Sequence, residues 1–507
     1  MRSRLSFFAA LGRISLAAGV FAALSVAHRA SAAVPVGWAV ESTVDGGTSS
    51  LGSAIATTDT AAFVGAPFAT PAAGGSASGA VFVFTASGGS WTSQRVAPPT
   101  PISGGNFGSA VAASGDLLAV GAPGTPPTAY VYSAIADGGY EPLHTWTDPA
   151  SDGNQSFGGS IAVFDGPSAG FVAVAAPPGS TNPNGAVYVS RQIDGGAWSD
   201  PPTAITNASA QAFGIAVGFA GNGDLLVGDP GTGAGQVLVY SPLPDGGWQE
   251  QGTLPASLDG GSLGSFGNGI ATWNDFAVVT APDSLDDAGT FNGAALVFAS
   301  HDGGAWTQET VLTGGPNESF GNFAPAITGD FVAVGSAVNT ASSGAGRVDV
   351  WGSIGGQWVS VPSAALTGDA YYGQAVGVVG STLFVGDTSA LGAGSVGDVV
   401  SQVVIVGAVY ADGGAGAEEA GAGESDGGSE GSSDGAGPPL DGSAGAAATG
   451  DGGGGQAGSA PAGSGCGCTT TGSGGGGGMA LVAEIALAAM VWAGRRRTRR
   501  AAPRDGG

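Results

Sequence analysis

Hydrophobic positions in this chain come in bursts of five or six residues, rich in valine, phenylalanine and alanine, and clusters of Gly, Pro, Asn and Asp separate them from about residue 34 to residue 410. Short apolar runs bounded by turn formers predict strands joined by tight connections, with helix formers confined to the two termini. The bursts repeat. One copy reads Phe107-Gly108-Ser109-Ala110-Val111-Ala112, then Gly115-Asp116-Leu117-Leu118-Ala119-Val120-Gly121-Ala122-Pro123. Six others begin at Leu51-Gly52, Phe157-Gly158, Phe213-Gly214, Phe266-Gly267, Phe320-Gly321 and Tyr372-Gly373, at successive spacings of 56, 50, 56, 53, 54 and 52 residues.

A unit of that length holds about four strands of five or six residues with their turns, which is one propeller blade. Seven units in register predict an all-β, seven-bladed β-propeller over residues 33–410. Within a unit, the small residues Ser109 to Ala112 suit an inner strand where blades converge. Gly115-Asp116 marks a turn, and Leu117 to Val120 form the second strand. A third strand follows a loop of variable length, as in Gly79-Ala80-Val81-Phe82-Val83-Phe84. The fourth opens with glycines and a tryptophan, as in Gly88-Gly89-Ser90-Trp91, Gly195-Gly196-Ala197-Trp198 and Gly303-Gly304-Ala305-Trp306. The seventh unit stops after its third strand, Val403 to Val409, whereas Gly37-Trp38-Ala39-Val40-Glu41-Ser42 precedes the first unit as an orphan fourth strand. The expectation is that this amino-terminal strand completes the last blade and closes the ring.

The Phe-Gly and Gly-Ala-Pro elements, here Phe107-Gly108 and Gly121-Ala122-Pro123, resemble the FG-GAP repeats of integrin α propeller heads and of many bacterial surface proteins. The resemblance spans residues 34 to 410. Individual copies drift: Ala175-Ala176-Pro177 and Thr280-Ala281-Pro282 keep the proline, and Gly335-Ser336-Ala337 and Gly386-Asp387-Thr388 lose it. Some integrin blades carry an Asp-x-Asp-x-Asp-Gly calcium loop, and no such loop occurs here. The nearest cluster is Asp283, Asp286 and Asp287 in the fifth unit, read first as solvated loop carboxylates and second as a weak calcium candidate. Asp116, Asp224 and Asp330 read as turn residues.

Composition narrows function. The formal net charge is −26, lysine is absent, and of thirteen arginines only Arg95, Arg191 and Arg347 lie between the terminal segments. A body this acidic does not neutralise a phosphate backbone or an anionic bilayer, so nucleic acid is excluded as its partner. Two cysteines one glycine apart, Cys466 and Cys468, do not staple a domain. Histidines occur only at His28, His144 and His301 and form no zinc-like cluster, and His144 and His301 read as solvated residues near outer strands. No Gly-x-Ser-x-Gly elbow placed between a strand and a helix, no histidine pair and no lysine offers catalytic chemistry, so the expected catalytic set, metal set and cofactor are none.

Both ends carry export features. Residues 1–32 combine arginines, an apolar stretch and Ala30-Ser31-Ala32, a small-x-small pattern that predicts signal cleavage before Ala33, in preference to a first membrane anchor. Residues 411–478 are almost entirely Gly, Ala, Ser, Asp and Glu and predict a disordered acidic tether. Residues 479–494 form an apolar run, short for a span and interrupted by Glu484; the basic tail 495–507 follows, with Arg495, Arg496, Arg497, Arg499 and Arg500 as a stop-transfer cluster. This arrangement of cysteines, spacer, short transmembrane helix and arginines resembles the MYXO-CTERM sorting signal of myxobacterial surface proteins. That resemblance implies processing or lipid attachment at Cys466 or Cys468 and display at the cell surface or outer membrane; a permanent inner-membrane anchor is the alternative.

The expected function is therefore binding or adhesion through loops on a rigid, monomeric propeller, notably Phe68 to Ser78, Gly124 to Thr128 and Asp283 to Asn292, toward a protein or polysaccharide. A lectin-like polysaccharide binder, a structural surface component and, last, an extracellular hydrolase are the alternatives.

Overall fold

The computed structural model describes residues 35–410, except 48, 151–155, 168, 180–181, 194–195, 201, 301–304, 315–318, 338–345, 363–365, 369–370 and 389–400. Ala30, Ala32, His301, Cys466, Cys468, the acidic stretch and the terminal arginine cluster lie outside the described residues.

Every regular element among the described residues is a strand, and the strands form seven antiparallel sheets. Blade 2 shows the plan: inner strand Ala110–Ser114, second strand Leu117–Ala122, third strand Thr128–Ala134 and outer strand Tyr140–Thr147, paired in chain order. The seven inner strands are Ile55–Thr57, Ala110–Ser114, Ser160–Asp165, Val217–Phe219, Ile270–Trp273, Ala326–Ile327 and Tyr372–Val379. Each touches the next, and the last touches the first, so the circuit closes. The fold is an all-β, seven-bladed propeller.

Burial follows position in the blade. The second strands Ala61–Ala66 and Leu117–Ala122 are buried at every residue because neighbouring blades cover both faces, which is why their sequences read as continuous apolar runs. Outer strands such as Ser90–Val96 are mostly exposed. Four outer strands carry a bulge, at Glu41, Leu143, Gln251 and Glu309. Bulges twist a free edge away from pairing with another chain.

Aromatic residues at the start of four outer strands lock their blades to the one before. Tyr140 meets Phe63 edge-on at 5.7 Å, Trp248 meets Phe171 at 5.3 Å and Trp38 meets Phe331 at 5.6 Å. Trp91 of blade 1 meets Phe384 of blade 7 at 4.8 Å, across the seam between the two ends of the repeat array. Edge-to-face rings of this kind add about 1 kcal/mol each beyond their buried area. The segment Gly37–Gly47 lies antiparallel to Ser401–Val409, with Trp38 opposite Ala408 and Val44 opposite Val403, as the outer strand of the seventh sheet.

Two blades depart from the repeat pattern. In blade 3 the expected tryptophan strand is reduced to a single bridge between Gln192 and Trp198 and a short strand Thr203–Ile205. Pro201-Pro202 falls between them, and proline contributes no ladder N–H. In blade 6 the inner strand splits into Ser319–Phe320 and Ala326–Ile327, with Pro325 at the break.

Candidate functional site: the central channel and its two ends

The inner strands enclose a cavity of about 920 Å³. Each inner strand is the last of its sheet, so the backbone groups on its free side face the axis and require water or a ligand. The walls are mostly Ala, Val, Ile and Gly. Polar groups concentrate at the ends: Ser53, Ser109, Asn268 and Gln374 at one, Thr58, Asp59, Thr272, Thr328 and Asp330 at the other, where Trp273 also lines the opening. Among the described residues, no histidine, cysteine, lysine or arginine lines the channel.

The first of these is the loop end, because inner strands start there and the second strands return to it. The repeat-defining residues sit here. Phe107, Phe157, Phe213, Phe266, Phe320 and Tyr372 are all buried. Gly108 has φ +95°, and its N–H donates to the Gly121 carbonyl at 3.0 Å within the same blade. A Cβ on Gly121 would collide with the carbonyl oxygen of Gly158 in the next blade, and the same approach recurs at Gly65, Gly228, Gly335 and Gly386. Gly386 abuts Gly52 across the seam. These motif residues therefore join blades.

The loops Phe68 to Ser78, Gly124 to Thr128 and Asp283 to Asn292 also gather at the loop end. The carboxylates singled out in the last of them serve the loop itself. Asp283 Oδ2 accepts from the Ser265 hydroxyl at 2.6 Å, and Asp286 accepts from the Thr290 N–H at 2.7 Å and from Asn292 Nδ2 at 3.2 Å. The Thr290 amide, ahead of the Asn292 amide, holds the Asp286 carboxyl below its usual range. Asp287 lies against Gly260, and a cleft of about 210 Å³ separates the two loops. No group of three or more His, Cys, Asp or Glu suited to a metal ion occurs among the described residues.

Two buried aspartates escaped the sequence reading. Asp229 Oδ1 accepts from the N–H groups of Gln211 at 3.2 Å and Ala212 at 2.8 Å, and its Oδ2 accepts from Gln236 Nε2 at 2.9 Å. Asp387 accepts from Gln402 Nε2 at 3.1 Å in the same way. Both occupy the position that Ala66 and Ala122 hold in other blades. The available signal was the coincidence of Asp and Gln, opposite one another in register, in two blades only.

The opposite, turn end consists of tight hairpins. Six blades place an aspartate at the first turn: Asp59, Asp116, Asp165, Asp224, Asp275 and Asp330; the seventh has Ser381. Asp165 Oδ2 accepts from the Asp116 N–H at 3.1 Å, and Asp224 Oδ1 accepts from the Ser241 hydroxyl at 2.6 Å. Asp116, Asp224 and Asp330 are thus turn residues as expected. Burial, together with the Asp330 charge, pushes the Tyr410 phenol up. Trp273 is half-buried, stacked on Phe276 at 6.4 Å with Gly329 against its edge.

His144 departs from its expected solvated position. It sits within the strand Tyr140–Thr147, its ring 4.5 Å from Trp146 and its Nε2 3.8 Å from Asp200 Oδ2. The outer-strand bulge at Leu143 turns it toward the face shared with blade 3, where Trp146 meets Trp198 at 6.0 Å.

No protein-family model matches the chain, and no curated protein matches it at a significant level. Solved structures do resemble it. A protein from Lactobacillus plantarum is 17% identical with a TM-score of 0.36, over 61% of this chain and 83% of that one. A putative 6-phosphogluconolactonase from Bacteroides uniformis is 12% identical with a TM-score of 0.42, over 65% and 89%. Sqt1 from Chaetomium thermophilum is 12% identical with a TM-score of 0.38, over 74% and 99%. Likeness at this level assigns no activity or partner to this chain.

Proposed function

We propose that the chain is an exported binding or adhesion protein, displayed at the cell surface, that presents an FG-GAP-type propeller on an acidic tether. The carrying observation is that chemistry-bearing groups collect at the two ends of a channel whose walls are small and apolar, within a ring locked blade to blade. A rigid scaffold with variable loops at one end suits recognition. The Phe-Gly and Gly-Ala-Pro residues support the FG-GAP assignment because they act as inter-blade joints. The pairing of Gly37–Gly47 with Ser401–Val409 supports ring closure by the amino-terminal strand. The MYXO-CTERM-like segment, with Cys466 or Cys468 as its processed residue, supplies the surface anchor in this reading.

Binding is favoured over catalysis because the described channel lining is small and apolar, with hydroxyls and carboxylates only at its ends and none of its residues a histidine, cysteine or lysine. The test is surface accessibility of the full chain in its own cells, by protease shaving, followed by retention of the purified full chain on cell-envelope and matrix extracts. Saturable retention is expected. A protein that resists shaving, or that associates only with itself, would overturn the proposal and favour an internal or a purely structural role respectively.

A further inference from the structure

We infer that the turn-end mouth of the channel is the binding site and that its ligand is an uncharged oligosaccharide; the inference rests on the binding role proposed above. The mouth brings together Asp59 and Asp330, the hydroxyls of Thr58, Thr272 and Thr328, and the half-buried indole of Trp273. These residues come from blades 1, 5 and 6, with Val378 and Gly380 of blade 7 lining the channel between them, so they form one arc of the rim.

The chemistry of that arc selects among ligand classes. An anionic polymer meets no cation: no arginine lines the channel, and the body between residues 35 and 410 carries three arginines, of which Arg347 is paired with Asp349 at 2.9 Å. A purely apolar ligand would strip water from two carboxylates and from the free edges of the inner strands without replacing its hydrogen bonds. A sugar satisfies both sets. Adjacent hydroxyls donate in pairs to a carboxylate, threonine hydroxyls donate or accept, and the C–H face of a pyranose ring covers an indole. Thr328 Oγ1 already accepts from the Phe331 N–H at 3.1 Å, which leaves its proton to donate outward. The channel as a whole, about 920 Å³, falls in the range of small-ligand sites.

The test titrates the purified full chain with laminarihexaose, mannohexaose and cellohexaose, and with alginate and heparin oligosaccharides as anionic probes, at low and at physiological salt. One or more neutral probes should bind, and the anionic ones should not. The exposed pair Asp59→Asn with Asp330→Asn should weaken binding at least tenfold, and Trp273→Leu should weaken it by a similar factor, with the melting transition recorded for each. Asp286→Asn at the loop end should leave binding unchanged. Preferential binding of alginate or heparin, no binding of any glycan, or neutral-glycan binding indifferent to the Asp59 and Asp330 changes would each overturn the inference. The last of these leaves the binding role intact, as does retention of the chain on envelope protein alone.

Discussion

The glycines at the blade-to-blade joints of the loop end differ from those in the third-to-fourth strand hairpins of the turn end in what they do. At the loop end, Gly65, Gly121, Gly228, Gly335 and Gly386 let one blade's backbone lie against the next, and any side chain would strike a carbonyl. At the turn end, Gly88, Gly138, Gly246 and Gly355 have open space around the position a Cβ would take, and only their positive φ angles constrain them. The repeat signature that dominates the sequence thus records how blades join. The groups proposed to meet a ligand sit at the other end, where repetition is weaker and takes the form of aspartates.

The harshest way to break the comparison is to remove the strand that spans both ends. A chain lacking residues 33–45 loses Trp38, whose truncation alone is expected to cost about 3–5 kcal/mol, and exposes the edge of Ser401–Val409. The expected outcome is a loss above about 5 kcal/mol in urea unfolding, with aggregation through the opened edge. An unchanged unfolding midpoint would show that the amino-terminal strand does not close the ring.

Next in size is a matched pair of alanine substitutions. Gly121→Ala should destabilise by about 3 kcal/mol, because the blade 2 to blade 3 approach must widen. Gly138→Ala meets nothing and should cost about 1 kcal/mol, the price of a positive φ for an L-residue. Equal effects in denaturant titrations would dissolve the distinction between joint and turn.

The sequence made the number of blades, the order of strands and the placement of turns legible because each rests on local pattern: apolar runs for second strands, Gly-Asp for the first hairpin, glycines and an aromatic for the fourth strand. It hid what depends on contacts between blades. Nothing local tells that Gly386 touches Gly52, or that Trp91 reaches Phe384. The candidate site suffered more. Asp286 stood out by its neighbours in sequence and turned out to brace its own loop, whereas Trp273 and Asp330 are joined with Asp59 only by the closure of the ring. His144 was read as solvated because nothing local to it foresees the bulge that turns it toward the next blade.

A smaller effect tests the hidden polar joint. Asp229→Ala leaves the N–H groups of Gln211 and Ala212 without their acceptor, and should cost about 2 kcal/mol. Little cavity forms, because alanine fills this position at Ala66 and Ala122. Asp229→Asn keeps one acceptor oxygen and should cost less than alanine. Equal costs would mean that the carboxylate charge matters more than its hydrogen bonds.

The smallest effect concerns the loop end alone and follows from the sign of one shift. The folded loop holds the Asp286 carboxyl below its unfolded value, chiefly through the Thr290 N–H. A depressed folded-state pKa contributes stability that is fully present above the unfolded carboxylate range and is lost as pH falls through the folded value. Hydrogen exchange at the Thr290 amide should therefore be slow near neutrality, relative to its intrinsic rate, and should lose protection only below the usual carboxylate range. Asp286→Asn should lower that protection at neutral pH and remove its acid dependence. Exchange at the turn end, for instance at the Gly139 amide bonded to Asp137 at 3.0 Å, should be unaffected by the Asp286 change. A response there would mean that the two ends of the ring are coupled through the blades, against the local role that the geometry gives to each.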